Sequence, residues 1–291
     1  MDITKYGVWF FYDGMTAAQS VEFARTVEKH RYGALWIPEA VGREPFAHAA
    51  YLAAQTERLV FATGIANIYA RDPLTMAAAA KTVGELSGGR FLLGIGVSHK
   101  PLVAALRGHS YEKPYSYMRE YLPKMKSALY RAPEPKERVP VVLAALHPKM
   151  LALCAAEADG THTYFVPPEH TAMARAALGP KPLICVEQAV ILDTDAAKAR
   201  AAAREYMKTY VPRLPNYTNA LKALGWADKE FENGGSDRLV DAIVAWGTET
   251  QIRDRVQTHL KAGANHVCIQ PLNTANPLMP DERALRALAP R

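Results

Sequence analysis

Eight short apolar segments alternate with amphipathic ones from one end of this chain to the other, and that rhythm restricts the fold more than any other feature. The apolar segments are rich in β-branched and aromatic residues and cover residues 6–12, 34–38, 59–67, 91–96, 140–145, 160–165, 183–192 and 266–270. Nearly continuous apolarity over so few residues suits strands covered on both faces, as in a parallel sheet. Between them the spacing predicts helices over residues 16–31, 46–57, 73–87, 114–131, 147–157, 169–178, 194–211, 249–262 and 281–288. The punctuation agrees. Thr16 with Gln19 three positions on forms a capping-box pattern. Pro73 sits at a helix start, where its missing N–H costs nothing. Gly33, Gly88, Gly179 and Gly263 fall just past helix ends, as C-terminal caps do.

Eight strands alternating with helices over 291 residues predict one α/β domain, residues 1–291, closed as a (β/α)8 TIM barrel. The competing architecture is a doubly wound open sheet. It has fewer strands and a phosphate-binding first turn, whereas the first turn here, YDGMTAA, has no GxGxxG. Residues 212–248 break the rhythm. The stretch PRLPNYTNALKALGW and the ENGGSD turn predict an extra helical excursion that serves as a lid or an interface element.

Composition narrows the function classes. With 49% hydrophobic and 22% charged residues, the chain is an ordinary globular one. No apolar run approaches the ~20 residues of a membrane span. The N-terminus lacks a basic region followed by an apolar one, so a cytoplasmic location is expected. Cys154, Cys185 and Cys268 are odd in number, far apart and in apolar contexts, so they read as reduced core residues. The nine histidines form no HxH or HExxH pair, and a metal site is not expected. The net charge of +6 favours an anionic partner such as a phosphate-bearing cofactor. The basic residues are interspersed with acids, however, so nucleic-acid binding is not expected.

In a barrel enzyme the chemistry sits in the loops after the strands. Those loops offer Tyr12 and Asp13 after the first strand, then Glu39, Gly42, Arg43 and Glu44 with His48 entering the next helix. Asn67, Tyr69, Arg71 and Asp72 follow the third strand, and Val97, Ser98, His99 and Lys100 the fourth. His147 and Lys149, Tyr164, Asp193 and Asp195, and Gln270 and Asn273 follow the remaining four.

The segment TGIANIYARDP (63–73), an alanine-rich helix, and then GELSGGRFLLGIGVSH (84–99) resemble the luciferase-like flavin and deazaflavin oxidoreductases over nearly the whole chain. The resemblance is strongest to the branch that uses coenzyme F420. It implies a non-prolyl cis peptide at Gly64–Ile65 behind the cofactor ring, and Asn67 at the ring's polar edge. Gly96, with Gly94, would let backbone approach the ligand, Val97 and Ser98 would lie against it, and Tyr69 would stack near the ring. The turn LAALHPKM (143–150) would offer backbone amides of Ala145, Leu146 and His147 to the cofactor phosphate. The sugar-phosphate dehydrogenases of this group carry an aspartate–histidine pair after the second strand, where this chain reads Glu39–Ala40. Acid–base chemistry would therefore fall to His99 or His48, with Glu39 orienting either histidine or holding a proton. The resemblance implies an F420-dependent oxidoreductase acting on a small carbonyl, alcohol or activated alkene, and a homodimer. An FMN-dependent monooxygenase and a non-catalytic flavin-binding protein remain as alternatives.

Overall fold

The computed structural model describes residues 3–291, and in it the apolar segments become parallel strands, most of them shorter than the runs that encode them. In chain order the elements are β1 (Tyr6–Trp9), α1 (Ala17–Lys29), β2 (Ala34–Ile37), α2 (Pro45–Ala53), β3 (Val60–Thr63), β4 (Ala66–Asn67), α3 (Pro73–Leu86) and β5 (Phe91–Gly96). A π-helical turn (Pro101–Leu106) precedes α4 (Pro114–Lys126), β6 (Val141–Ala144), α5 (Pro148–Glu157), β7 (Gly160–Thr163), α6 (Pro168–Leu178), β8 (Leu183–Ile191) and α7 (Ala196–Met207). Then come α8 (Pro215–Ala223), 3-10 turns within Asp228–Gly234, α9 (Asp237–Ile243), β9 (Ala245–Trp246), α10 (Glu249–Lys261), β10 (His266–Pro271) and α11 (Glu282–Ala287).

Eight strands close into a parallel barrel in the order β1-β2-β3-β5-β6-β7-β8-β10. Closure comes from β10, whose Cys268 lies opposite Gly7 of β1 and opposite Glu187 of β8. The protein is a TIM barrel. Two short strands lie outside the eightfold count. The run 59–67 is interrupted, because β3 ends at Thr63, the Gly64–Ile65 peptide bond is cis, and the chain resumes as β4 beside Ile95 and Gly96. β9 pairs Ala245 and Trp246 with Val190 and Ile191 of β8; two residues are too few to leave a periodic signal in sequence. Residues 10–12, read as the end of the first strand, instead leave the ladder toward α1. The expected excursion is present as α8, the 3-10 turns and α9.

Gly33 differs from its expected role. The left-handed position after α1 is taken by Arg31 (φ 62°). Gly33 is instead a close-approach residue: a Cβ there would lie 2.2 Å from Thr4 Oγ1 and 2.3 Å from the Ile3 carbonyl oxygen.

The larger core fills the space between strands and helices, and a smaller one fills the barrel itself, built around Trp9, Trp36, Cys185 and Cys268. This inner core is partly polar. Trp36 stacks on His162 (4.3 Å between ring centres, 13° apart) and donates its indole N–H to His266 Nε2 at 3.0 Å. That bond leaves His266 with its proton on Nδ1, which donates to the Thr4 carbonyl (2.9 Å). Burial holds both imidazoles neutral, with His162 pushed down to about 3 and His266 to about 4. All three cysteines are buried thiols. Among the described residues no His, Cys, Asp and Glu cluster could hold a metal, and no helix is long and apolar enough to cross a membrane.

Candidate active site at the strand C-termini

The floor of the barrel mouth is set by the break between β3 and β4. The Gly64 carbonyl accepts the Trp9 indole N–H at 3.0 Å. Thr63 locks to β5 from below, its hydroxyl donating to the Gly94 carbonyl (2.6 Å) and accepting the Gly94 N–H (2.9 Å). A Cβ on Gly94 would lie 2.0 Å from the Thr63 carbonyl oxygen, and one on Gly96 would lie 2.7 Å from Ile65 Cδ1. The room these glycines provide is thus filled by the neighbouring strand segment. Past Gly96 the chain turns at Ser98 (φ 57°), whose carbonyl accepts the Tyr111 hydroxyl at 2.8 Å. Val97 and Ser98 are partly exposed at this rim.

Glu39, just beyond β2, is an anchor for the loop after β4. Its Oε2 accepts the Asn67 backbone N–H (2.8 Å) and Arg71 Nη1 (2.7 Å), and Arg107 Nη2 stands 3.7 Å from Oε1. Arg71 also reaches Glu44 at 2.5 Å and lies over the Phe46 ring. With both oxygens facing guanidinium groups, Glu39 serves as an ionic clamp. Asn67 accepts the Tyr69 N–H on Oδ1 (2.9 Å), closing an Asx turn. The Tyr69 ring stacks on Tyr117 (4.5 Å, 22°) and tilts against Tyr111.

The three histidines of interest lie in different surroundings. His99 Nε2 pairs with the Tyr217 hydroxyl of α8 at 3.3 Å, and burial pushes its pKa down to about 4. His48 is buried edge-on against Tyr12 (4.5 Å) with neither ring nitrogen hydrogen-bonded, and desolvation lowers it to about 4. His147 Nε2 meets Asn216 Oδ1 at 3.0 Å, tying the start of α5 to α8. Among the described residues, no hydrogen bond joins Glu39 to His99 or His48. The structure joins Glu39 to Asn67 by a direct hydrogen bond.

A cluster of which the sequence offered only Tyr164 and Gln270, each singly as a rim residue, covers the opposite side of the mouth. The Tyr164 hydroxyl donates to Gln270 Oε1 (3.0 Å) and lies 2.6 Å from the Tyr210 hydroxyl, while Tyr206 donates to it at 3.0 Å. Beneath them is Glu187, 2% exposed. Its Oε2 accepts the Phe165 N–H at 3.3 Å and its Oε1 has no partner. Burial raises the Glu187 carboxyl to about 8, against which the Phe165 N–H works only in part. A neutral carboxylic acid results at pH 7. The signal was available in LICVEQAVIL: Glu187 shares the strand face of Cys185, and a carboxylate inside an apolar strand is rarely idle. Tyr206 of α7, Tyr210 in the turn after it and Tyr217 of α8 carried no such signal, since their packing over the mouth is a tertiary matter.

Helix starts around the mouth differ in what they offer an anion. Side chains of Thr16, Glu44, Asp72, Asp195, Thr248 and Asp281 cap α1, α2, α3, α7, α10 and α11. No side chain caps α4, α5 or α6, each of which opens on a proline. At α5, Ala145 and Leu146 are buried, and His170 Nε2 donates to the Leu146 carbonyl at 2.9 Å, turning that oxygen inward. The uncapped first turn of α5 keeps the positive end of its helix dipole available.

The family described as luciferase-like monooxygenase matches residues 4–266. A Mycobacterium tuberculosis protein that carries the provisional name coenzyme F420-dependent oxidoreductase Rv3520c is 26% identical, over 91% of this chain and 94% of its own. Among solved structures, the coenzyme F420-dependent tetrahydromethanopterin reductase of Methanopyrus kandleri superposes with a TM-score of 0.78 at 18% identity, covering 99% of this chain and 98% of that one. The FMN-bound oxygenating component of 3,6-diketocamphane monooxygenase from Pseudomonas putida superposes with a TM-score of 0.71 at 14% identity, covering 99% and 97%. At these identities the two structures speak for the fold. By its family match over most of its length, this chain is an oxidoreductase that belongs to the luciferase-like monooxygenase family.

Proposed function

We propose that the protein binds coenzyme F420 at the strand C-termini and transfers a hydride between it and a small organic substrate, a carbonyl–alcohol pair or an activated alkene. The observation that carries this reading is the pairing of a backbone-and-indole floor at Trp9, Gly64 and Ile65 with the uncapped start of α5 at the same rim. The floor suits a flat ring, and the helix start suits its phosphate. Ala145, Leu146 and His147 would hold the phosphate, while Gly96, Val97 and Ser98 would flank the ring. The Asn67 amide would serve the ring's polar edge through its nitrogen, because its oxygen is engaged by Tyr69. The name of the Mycobacterium tuberculosis relative supports F420 over FMN.

When bound, the deazaflavin supplies a two-electron hydride and reacts little with oxygen. The chain's own work is to orient the substrate, exclude water with the aromatic side chains at the mouth, and move one proton. The Glu39–Arg71 clamp holds the loop carrying Asn67 and Tyr69 in place. His99, within reach of the Tyr217 hydroxyl, can pass a proton in its neutral state.

Titrating the protein with F420 and, separately, with FMN while following tryptophan fluorescence tests the reading. Quenching by micromolar F420 with weak FMN binding is expected. Preference for FMN would instead place the chain with the family's monooxygenases, as the diketocamphane enzyme suggests. Tight binding with no turnover of any hydride acceptor would mark a flavin-binding protein.

A further inference from the structure

We propose that Tyr164, with Tyr206, Tyr210 and Gln270 around its hydroxyl and the buried Glu187 carboxyl behind it, is the proton-donating site for an uncharged carbonyl substrate. This inference rests on the hydride-transfer reading above.

The geometry is specific. Tyr164 donates to Gln270 Oε1 at 3.0 Å, so its oxygen receives the hydroxyls of both Tyr206 (3.0 Å) and Tyr210 (2.6 Å). Two phenol donors aimed at one phenol oxygen stabilise the phenolate left when that phenol gives up its proton. Tyr164 and Tyr206 are partly exposed, whereas Tyr210, Tyr217 and Gln270 are buried, and of the two partly exposed rings it is Tyr164 that packs on Trp9. It also faces the ring site: its ring packs 4.9 Å from that of Trp9, the residue that holds the Gly64 carbonyl.

The charge balance favours a neutral substrate. The groups acting on Glu187 and on the four tyrosines 164, 206, 210 and 217 are burial, one another, the Phe165 N–H and Tyr111, with no lysine or arginine among them. From β10, Cys268 faces Glu187, and its thiol is pushed far up. His99, paired with Tyr217, is neutral. Among these groups a carboxylate or phosphate on the substrate finds no counter-charge.

The step balances. A hydride and its electron pair reach the carbonyl carbon, the C=O π pair moves onto oxygen, and that oxygen, taking the place of Gln270 Oε1 as acceptor, receives the Tyr164 proton as the phenol O–H bond breaks. The proton released by the oxidised cofactor returns to the tyrosine through solvent. Burial keeps Tyr164 protonated well past neutrality, so the phenol holds the proton that the developing alkoxide needs. Glu187 acts through the tyrosines as a positioning residue: neutral, it leaves room for the phenolate's charge, and ionised, it opposes it.

The test uses the full chain and its Tyr164→Phe and Glu187→Gln variants, each checked for a single cooperative melting transition at pH 6. Without cofactor, infrared spectroscopy of the wild type at pH 7 is expected to show a protonated-carboxyl band that Glu187→Gln removes. With reduced F420 and cyclohexanone or benzaldehyde, Tyr164→Phe is expected to lower kcat by ~10²-fold or more while KM moves little. Glu187→Gln is expected to abolish the alkaline fall in kcat. Retention of kcat in Tyr164→Phe, an unchanged alkaline limb in Glu187→Gln, or absence of the band overturns the proposal. So does F420 binding without turnover of either carbonyl. Failure to bind F420 at all overturns the cofactor reading instead, and the infrared result still reports on Glu187.

Discussion

Arg71 and Glu39 meet at 2.7 Å with side chains only 11% and 7% exposed, joining the loop after β4 to the end of β2. Each partner keeps one further contact when the other is removed, Arg71 with Glu44 and Glu39 with Arg107. Arg71→Ala and Glu39→Ala are each expected to cost about 1–3 kcal/mol in urea unfolding. The double variant should be less damaged than the sum of the two. Additive losses would show that the clamp is not a coupled unit.

Glu187 gives stability a dependence on pH. Its native pKa is about 8 against an ordinary 4.5, so between those values the folded state holds a proton that the unfolded chain has released. The stabilisation it contributes is full below about 4.5 and is lost as pH rises through 8. Glu187→Gln should flatten the alkaline decline in urea midpoint, and an identical decline in the variant would assign it to another group.

Buried histidines act in the opposite direction. His48, His99 and His266 are lowered to about 4, and His162 and His259 to about 3, from an ordinary 6.5. Below 6.5 the unfolded chain takes up protons that the native state refuses, so stability is full above 6.5 and is lost as pH falls toward 4. Five such groups outweigh one glutamate where the windows overlap. Maximum stability is expected near pH 6–7, and a melting series from pH 4 to 9 checks it.

Gly94 and Gly96 should differ sharply when changed to alanine. The Gly94 Cβ would meet a backbone oxygen at 2.0 Å, which cannot yield, while that of Gly96 would meet the far end of Ile65 at 2.7 Å. Gly94→Ala is expected to prevent folding or cost more than the ~1–3 kcal/mol typical of overpacking. Gly96→Ala should be milder and partly relieved by Ile65→Val. Soluble expression and urea midpoints of the three variants decide the matter.

Much of the barrel was legible because its physics is local. Parallel strands buried on both faces must be apolar runs, helices between them must be amphipathic, and both leave their period in the chain. The loop residues Glu39, Asn67, His99 and His147 were legible as rim positions for the same reason. Their partners were not. Glu39, expected to orient a histidine or hold a proton, is held by Arg71 and Asn67, and Gly96 packs closely on Ile65.

The sequence by itself determined the alternation, the closed barrel, the rim loops and the excursion at 212–248, because each follows from periodicity or turn chemistry within some twenty residues. Tertiary structure alone decided which rim residues meet. Tyr164, Tyr206, Tyr210 and Gln270 converge from β7's exit, α7's end and β10, over separations of 42 to 106 residues. Glu187 is a neutral acid only because helices and neighbouring strands remove water from it. Desolvation depends on what folds over a residue, and no pattern confined to its own segment encodes that.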